Sequence, residues 1–296
     1  MQTAKDTMHN TDMGDDKPLT VYEPNERQGG LWWGLRRAVR ELWTSRYMIF
    51  YLFRRDFVAQ FKQKLFGYLW AVLGPFLGIA SFLFLFFTGV LQPGDGNMPY
   101  TIYVLIGSTV WASLPASLSA VSAGLQGQAD LIMRTRVPKV ALAVATLANV
   151  CYSTLISMLT IFIVFMLLDM WPSWYFVIYP LLVAPLLLAG LAVGLVLAVL
   201  GSIMKDMTQM VLQGLSFVMY VTPVIYVFDS IKNPIIKKII MYNPITYLVD
   251  VPRSLIVLGY SAHTATYLQI YGAVLVAVVI GFRVFYLLED LVAERL

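Results

Sequence analysis

The sequence predicts an all-α integral membrane protein with six transmembrane helices, an N-terminal amphipathic interface helix and a re-entrant helical hairpin before the last span. Three observations predict it. Of 296 residues, 59% are hydrophobic and only 13% charged, with mean hydropathy +0.72; soluble domains carry about a quarter charged residues. Six apolar segments reach the length of about 20 residues that a helix rising 1.5 Å per residue needs to cross a layer of about 30 Å. Finally, the stretch 205–252 carries an apolar helix broken at Thr222-Pro223, then an apolar run interrupted by Pro234, Pro244 and Pro252. Mid-helix prolines forfeit a hydrogen bond and clash with the preceding turn, so neither half of that run makes a span.

In chain order, residues 1–30 hold Asp6, Asp12, Asp15, Asp16, Glu23 and Glu26 among few apolar residues. They bury too little surface to offset ordering entropy and are expected to be a solvated cytoplasmic tail. This stretch lacks the basic start and apolar run of a signal peptide. Over 31–64, Leu31, Trp32, Leu35, Val39, Leu42 and Trp43 recur at helical spacing among eight Lys and Arg residues. That is an amphipathic interface segment anchored by tryptophan, read either as a membrane anchor or as a docking surface for a cytoplasmic partner. The transmembrane domain then occupies 65–296, with spans at about 66–91, 101–123, 140–168, 174–200, 207–228 and 265–288. The hairpin is expected over 230–260: Ile235, Ile236, Ile239 and Ile240 share one face with Lys237 and Lys238 beside it, and Asp250 and Arg253, three apart, are placed to pair.

Loop charges set the orientation. Basic residues crowd the stretch before the first span, the loop 124–139 carries Arg134, Arg136 and Lys139, and Lys205 follows the fourth span; the loops after the first and third spans carry only Asp95 and Asp169. The positive-inside rule puts both termini in the cytoplasm. Small residues mark close helix packing in lipid: Gly67, Ala71, Gly74, Gly78 and Ser81 along the first span, and Gly190, Gly194 and Ala198 along the fourth. Phe82 and Phe86 lie four apart, Phe217 and Tyr220 three apart, and Tyr226 follows the proline break. These aromatics are read either as lipid-facing or belt residues or as a wall on which sugar rings stack.

Absences exclude whole classes. No charge falls near the centre of a span, where ion-coupled carriers keep one at a cost of roughly 2.5 to 3.5 kcal/mol; Arg283 lies near the inner end of the sixth. There is no G-x-x-x-x-G-K-[ST] loop, so ATP would be hydrolysed in another chain. Cys151 is the single cysteine and the two histidines, His9 and His263, are far apart, which leaves no metal cage. A net charge of +4 and a pI near 9.0 suit basic cytoplasmic loops, not nucleic acid. Asp95, Asp169, Asp229 and Asp250 are scattered without a catalytic motif, which disfavours a membrane-embedded glycosyl or acyl transferase.

The loop 124–139, running through Leu131, Arg134, Arg136 and Pro138, reads either as a plain basic loop or as a short coupling helix seated in an ATPase, with Lys205-Asp206 at the inner end of the fifth span. Taken in order, Gly67-Tyr68-Leu69-Trp70, Gly74-Pro75, Arg134-Thr135-Arg136-Val137-Pro138, Lys205-Asp206, Thr222-Pro223-Val224-Ile225-Tyr226 and Tyr242-Asn243-Pro244 resemble the membrane subunit of ABC-2 type polysaccharide exporters, which move O-antigen, teichoic acid and capsule chains. Lys205-Asp206 stands where that family usually has Arg-Asp, losing the bidentate fork.

The resemblance implies a homodimer in the cytoplasmic (inner) membrane, paired with two copies of a separate ATPase that binds ATP and Mg. A lipid-linked polysaccharide, O-antigen favoured over teichoic acid or capsule, would pass between the subunits. It implies Phe82, Phe86, Phe217, Tyr220 and Tyr226 as channel residues, and Leu131, Arg134, Arg136, Pro138, Lys205 and Asp206 as coupling residues. Pro223, Asn243, Pro244, Asp250 and Arg253 would form an outer gate. No cofactor is implied in this chain itself. An ABC-2 exporter of a small lipid or drug shares the fold and differs in cargo.

Overall fold

A computed structural model describes residues 31–62, 69–91, 98–127, 138–204 and 206–295. The expected tail 1–30 and most of the loop 124–139 lie outside them. Every regular element among the described residues is helical. The α-helices are α1 (Leu31–Thr44), α2 (Arg46–Lys62), α3 (Leu69–Phe87), α4 (Tyr100–Gly127), α5 (Lys139–Leu167), α6 (Tyr179–Ile203), α7 (Met207–Val221), α8 (Pro234–Tyr242), α9 (Pro244–Leu258) and α10 (Thr264–Arg295). By length and apolarity, four stretches can each cross a membrane: Tyr100–Leu125, Lys139–Leu167, Trp174–Gly201 and Thr264–Leu288. The apolar parts of α3 and α7, Leu73–Phe87 and Met207–Val221, are shorter. The fifth apolar helix therefore stops seven residues before the expected end at 228, for a reason that lies in Pro223.

The bundle is centred on α4 against α6, its most extensive contact, with α10 on the far side of α6 and α5 on the far side of α4. The stripe of small residues expected along the fourth span is what lets α4 and α6 close up. A Cβ on Gly190 would collide with Ser117 Oγ and lie 2.7 Å from the Leu114 carbonyl oxygen, and one on Gly194 would stand 3.0 Å from that of Leu118. On α3 the described part of the matching stripe stands open, since among the described residues a Cβ on Gly74 or Gly78 would meet nothing within 4 Å; Gly67 lies outside them.

The expected single interface segment is two helices divided at Ser45, because each docks on a different neighbour. α1 lies on α10 and α2 on α5. The inward face of α1 is Gly34 and Ala38, both buried, while Val39 and Trp43 of the expected apolar stripe are exposed. Gly34 permits backbone contact, since a Cβ there would sit 3.3 Å from Arg283 Cα. Trp33 meets Tyr286 edge-on at 6.0 Å, the Arg37 guanidinium stands 4.8 Å over the Tyr286 ring, and the Tyr286 hydroxyl donates to Glu41 at 2.8 Å. Tyr286→Phe removes that bond to a charged acceptor and is expected to cost about 1.5 kcal/mol. Thermal unfolding and limited proteolysis of α1 check it; wild-type values for both would contradict this account of the docking.

Residues 230–260, expected as a re-entrant hairpin, contain two short helices separated by Asn243 alone. Asn233 caps α8, its Oδ1 accepting from Ile235 N at 2.9 Å, and Asn243 caps α9 in the same way from Ile245 N at 3.1 Å. Both caps are followed by proline at the first helical position, where its missing N–H costs nothing. Gly259, at φ +79°, closes α9 in the left-handed conformation that favours glycine. Ile235, Ile236 and Ile239 are exposed and only Ile240 is buried. α9 packs at the opposite end of the bundle from α1: Tyr267 lies in its core cluster and Phe285 in that of α1, a rise of roughly 27 Å along one helix at 1.5 Å per residue.

Candidate functional site

The residues expected to form a gate converge on the segment after α7. Pro223 has no N–H and disfavours helical backbone in the residue before it, and Thr222 is accordingly extended at φ −95°, ψ 138°. A helix stopped in this way leaves carbonyls to be satisfied from elsewhere, and α4 and α9 supply the donors. The Tyr100 hydroxyl donates to the Ile225 carbonyl at 2.9 Å. The Tyr103 hydroxyl lies 2.8 Å from the Tyr226 carbonyl and 3.2 Å from that of Pro223; with one proton, it donates to the nearer. The Pro223 carbonyl is served at 3.0 Å by Arg253 Nη2.

Arg253 is the largest fully buried side chain among the described residues. Its Nη2 also pairs with Asp250 Oδ1 at 2.9 Å, and the guanidinium lies 3.6 Å over the Tyr103 ring. A desolvated cation over an aromatic face gains about 2 kcal/mol, and the carboxylate offsets the cost of burying the charge. Gly107 makes room for this layer, since a Cβ there would stand 2.9 Å from the Val224 carbonyl and 3.0 Å from Arg253 Nη1. Asn243 joins the hairpin to the break by donating from Nδ2 to Thr222 Oγ1 at 3.0 Å. The expected Asp250–Arg253 pair is thus present, while its link to Pro223, thirty residues earlier, carries no local sequence signal. Tyr100, Tyr103 and Gly107, aligned along one face of α4, are site residues that the sequence reading missed; an i, i+3, i+7 pattern of two tyrosines and a glycine was the available signal.

The expected channel aromatics do not share one environment. Phe217 and Tyr220 are 71% and 59% exposed on α7, a helix with no buried residue of its own. Phe82 and Phe86 instead pack on the core, with Phe86 4.5 Å from the Tyr100 ring, and it is Phe84 and Phe87 that stand exposed on α3. Tyr226 is half-buried, its hydroxyl donating to the Tyr220 carbonyl at 3.1 Å. Of the expected coupling residues, Leu131, Arg134, Arg136 and Lys205 lie outside the described residues. Pro138 immediately precedes α5, its carbonyl accepting from Ala141 N at 3.0 Å. Asp206 is exposed before α7 and makes no side-chain cap. Pro244 is the first residue of α9.

Residues 47–257 match the family described as ABC-2 type transporter, from the start of α2 to the end of α9. The chain is 25% identical over 214 residues to an O-antigen export system permease protein RfbA of Myxococcus xanthus, covering 72% of this chain and 81% of that protein. Against a protein of the same name from Klebsiella pneumoniae it is 26% identical over 264 residues, covering 85% of this chain and 98% of the relative.

Proposed function

The chain belongs to the ABC-2 type transporter family, and from that membership we propose that it is the membrane subunit of an ATP-driven exporter of lipid-linked polysaccharide, with O-antigen as the favoured cargo. The observation that carries the proposal is coverage: the chain runs along 98% of a relative named as an O-antigen export permease, not along a shared fragment. In this reading α3 and α7 complete a set of six spans, and two copies form the working unit. An apolar helix that leaves one face exposed needs lipid or a partner against it, and α7 meets that description: Leu215, Val218 and Met219 rest on the core while Met210, Phe217 and Tyr220 stand exposed. Phe217 and Tyr220 on that face are the best-supported channel residues. Both termini are cytoplasmic, so the end of the bundle carrying α1, Pro138 and Asp206 faces the partner ATPase, which binds ATP and Mg. The hairpin α8–α9 and the captured segment after Pro223 form the gate at the other end.

Export is tested by deleting the gene and measuring polysaccharide at the cell surface, together with copurification of the protein from its native membrane under mild extraction. Loss of surface polymer and a stoichiometric ATP-binding-cassette subunit are the expected results. Unchanged surface polymer, or ATPase turnover by this chain alone, would overturn the assignment.

A further inference from the structure

A cavity of about 280 Å³ opens between the hairpin and the captured segment after α7. Its walls divide chemically. Met98, Tyr103, Phe228 and Tyr247 contribute apolar and ring surface, whereas Asp250, Ser254 and His263 bring polar groups. Three of the polar functions at this cavity are already committed: the Tyr103 hydroxyl to backbone carbonyls, that of Tyr247 to the Met241 carbonyl at 3.0 Å, and that of Thr246 to the Ile240 carbonyl at 2.9 Å. The others retain capacity. Asp250 gives only Oδ1 to Arg253, and neither the Ser254 hydroxyl nor the His263 ring has a hydrogen-bond partner among the described residues. His263 instead stands edge-on to Tyr247 at 5.4 Å.

We propose that this cavity is a saccharide-binding subsite within the subunit, distinct from any passage between two copies, which takes one neutral hydroxylated sugar ring. A pyranose has an apolar C–H face and an edge of hydroxyls, and the cavity offers an aromatic and thioether wall beside a carboxylate oxygen, a hydroxyl and an imidazole. Pockets of this kind bind through apolar area and orient through a few convergent polar groups. Charge selects the ligand class. The buried Arg253 guanidinium at 2.9 Å balances Asp250, so the carboxylate acts as a hydrogen-bond acceptor with little net field; a hydroxyl can donate to it, an anionic group has no proton to give it and an ammonium gains little. The subsite rests on the polysaccharide-export reading, under which the cavity lies at the outer end of the path, where an emerging chain unit would be held after leaving the membrane.

The probe is a set of short oligosaccharides released by mild acid from the producing cell's own surface polysaccharide, offered to the full-length protein in nanodiscs and followed by saturation-transfer NMR. Ser254→Leu fills the cavity while keeping both members of the Asp250–Arg253 pair, and His263→Ala removes an exposed polar group at no cost to the core. Binding to the wild-type protein, weakened about tenfold or more by Ser254→Leu and to a lesser degree by His263→Ala, is the expected result. Equal binding by all three proteins, or displacement of the oligosaccharide by phosphoethanolamine as a lipid-headgroup probe, would overturn the subsite and leave export standing. Undiminished surface polymer in the deletion strain would instead overturn export itself, and the subsite with it.

Discussion

Replacing Arg253 by alanine is expected to destabilise the protein by about 3 kcal/mol, the lower end of the cost of breaking a buried ion pair. The lower end applies because the Asp250 side chain is 34% exposed and recovers some hydration. The losses come together: the carboxylate loses its counter-charge, the Pro223 carbonyl its donor at 3.0 Å, and the Tyr103 ring the cation on its face. Arg253→Lys keeps the charge but offers a point instead of a fork, so one of the two contacts made by Nη2 is expected to fail and the effect to be intermediate. Asp250→Asn is the sharper control, because it leaves the fully buried partner uncompensated and is expected to cost more than its own exposure suggests. Thermal unfolding in detergent measures all three, and the wild-type pair is expected to resist added salt, as buried charges do. If Arg253→Ala unfolds at the wild-type temperature, the guanidinium is not what holds the segment after Pro223.

Gly190→Ala is expected to destabilise by about 1 to 3 kcal/mol, the cost of overpacking, although intrinsic helix propensity favours alanine by about 1 kcal/mol. The sign is decided by the neighbours. The added Cβ would collide with Ser117 Oγ, which can rotate away, but also lie 2.7 Å from the Leu114 carbonyl oxygen and 2.9 Å from Leu118 N, which cannot move without parting α4 from α6. Ser117→Ala is therefore expected to rescue Gly190→Ala only in part, and Gly190→Leu to prevent assembly. Gly78→Ala is the internal contrast, since nothing among the described residues lies within 4 Å of its Cβ, and its subunit stability is expected to hold. Unfolding temperatures of the four variants, compared in one detergent, check the series; equal costs at Gly190 and Gly78 would contradict it.

Much of the helical framework was legible because apolar length and proline position are local properties. Four of the expected spans, those starting at 101, 140, 174 and 265, coincide with helical stretches long enough to cross a membrane and begin within one residue of those starts, and the shorter helix before Pro223 breaks at the proline pair that announced it. The Asp250–Arg253 pair was legible for the same reason, as three-residue spacing on a helix brings side chains together wherever the helix goes. Gly190 and Gly194 were readable as a stripe, though only packing showed that their stripe is used within the chain while Gly74 and Gly78 stand open among the described residues.

Apolar length and proline position, both readable along the chain, place the long apolar helices, four of which can cross a membrane. The tertiary structure alone decided which side of an apolar helix turns inward. In α3, Phe82 and Phe86 meet the core while Phe84 and Phe87 do not; all four are equally apolar, so no polarity period distinguishes them and shape complementarity chooses. The capture of Pro223, Ile225 and Tyr226 carbonyls by Tyr100, Tyr103 and Arg253 was likewise decided in three dimensions. A proline states that backbone groups will be left without helical partners, but the donors that satisfy them lie 30 to 125 residues away, and only the packing of α4 and α9 brings them within reach.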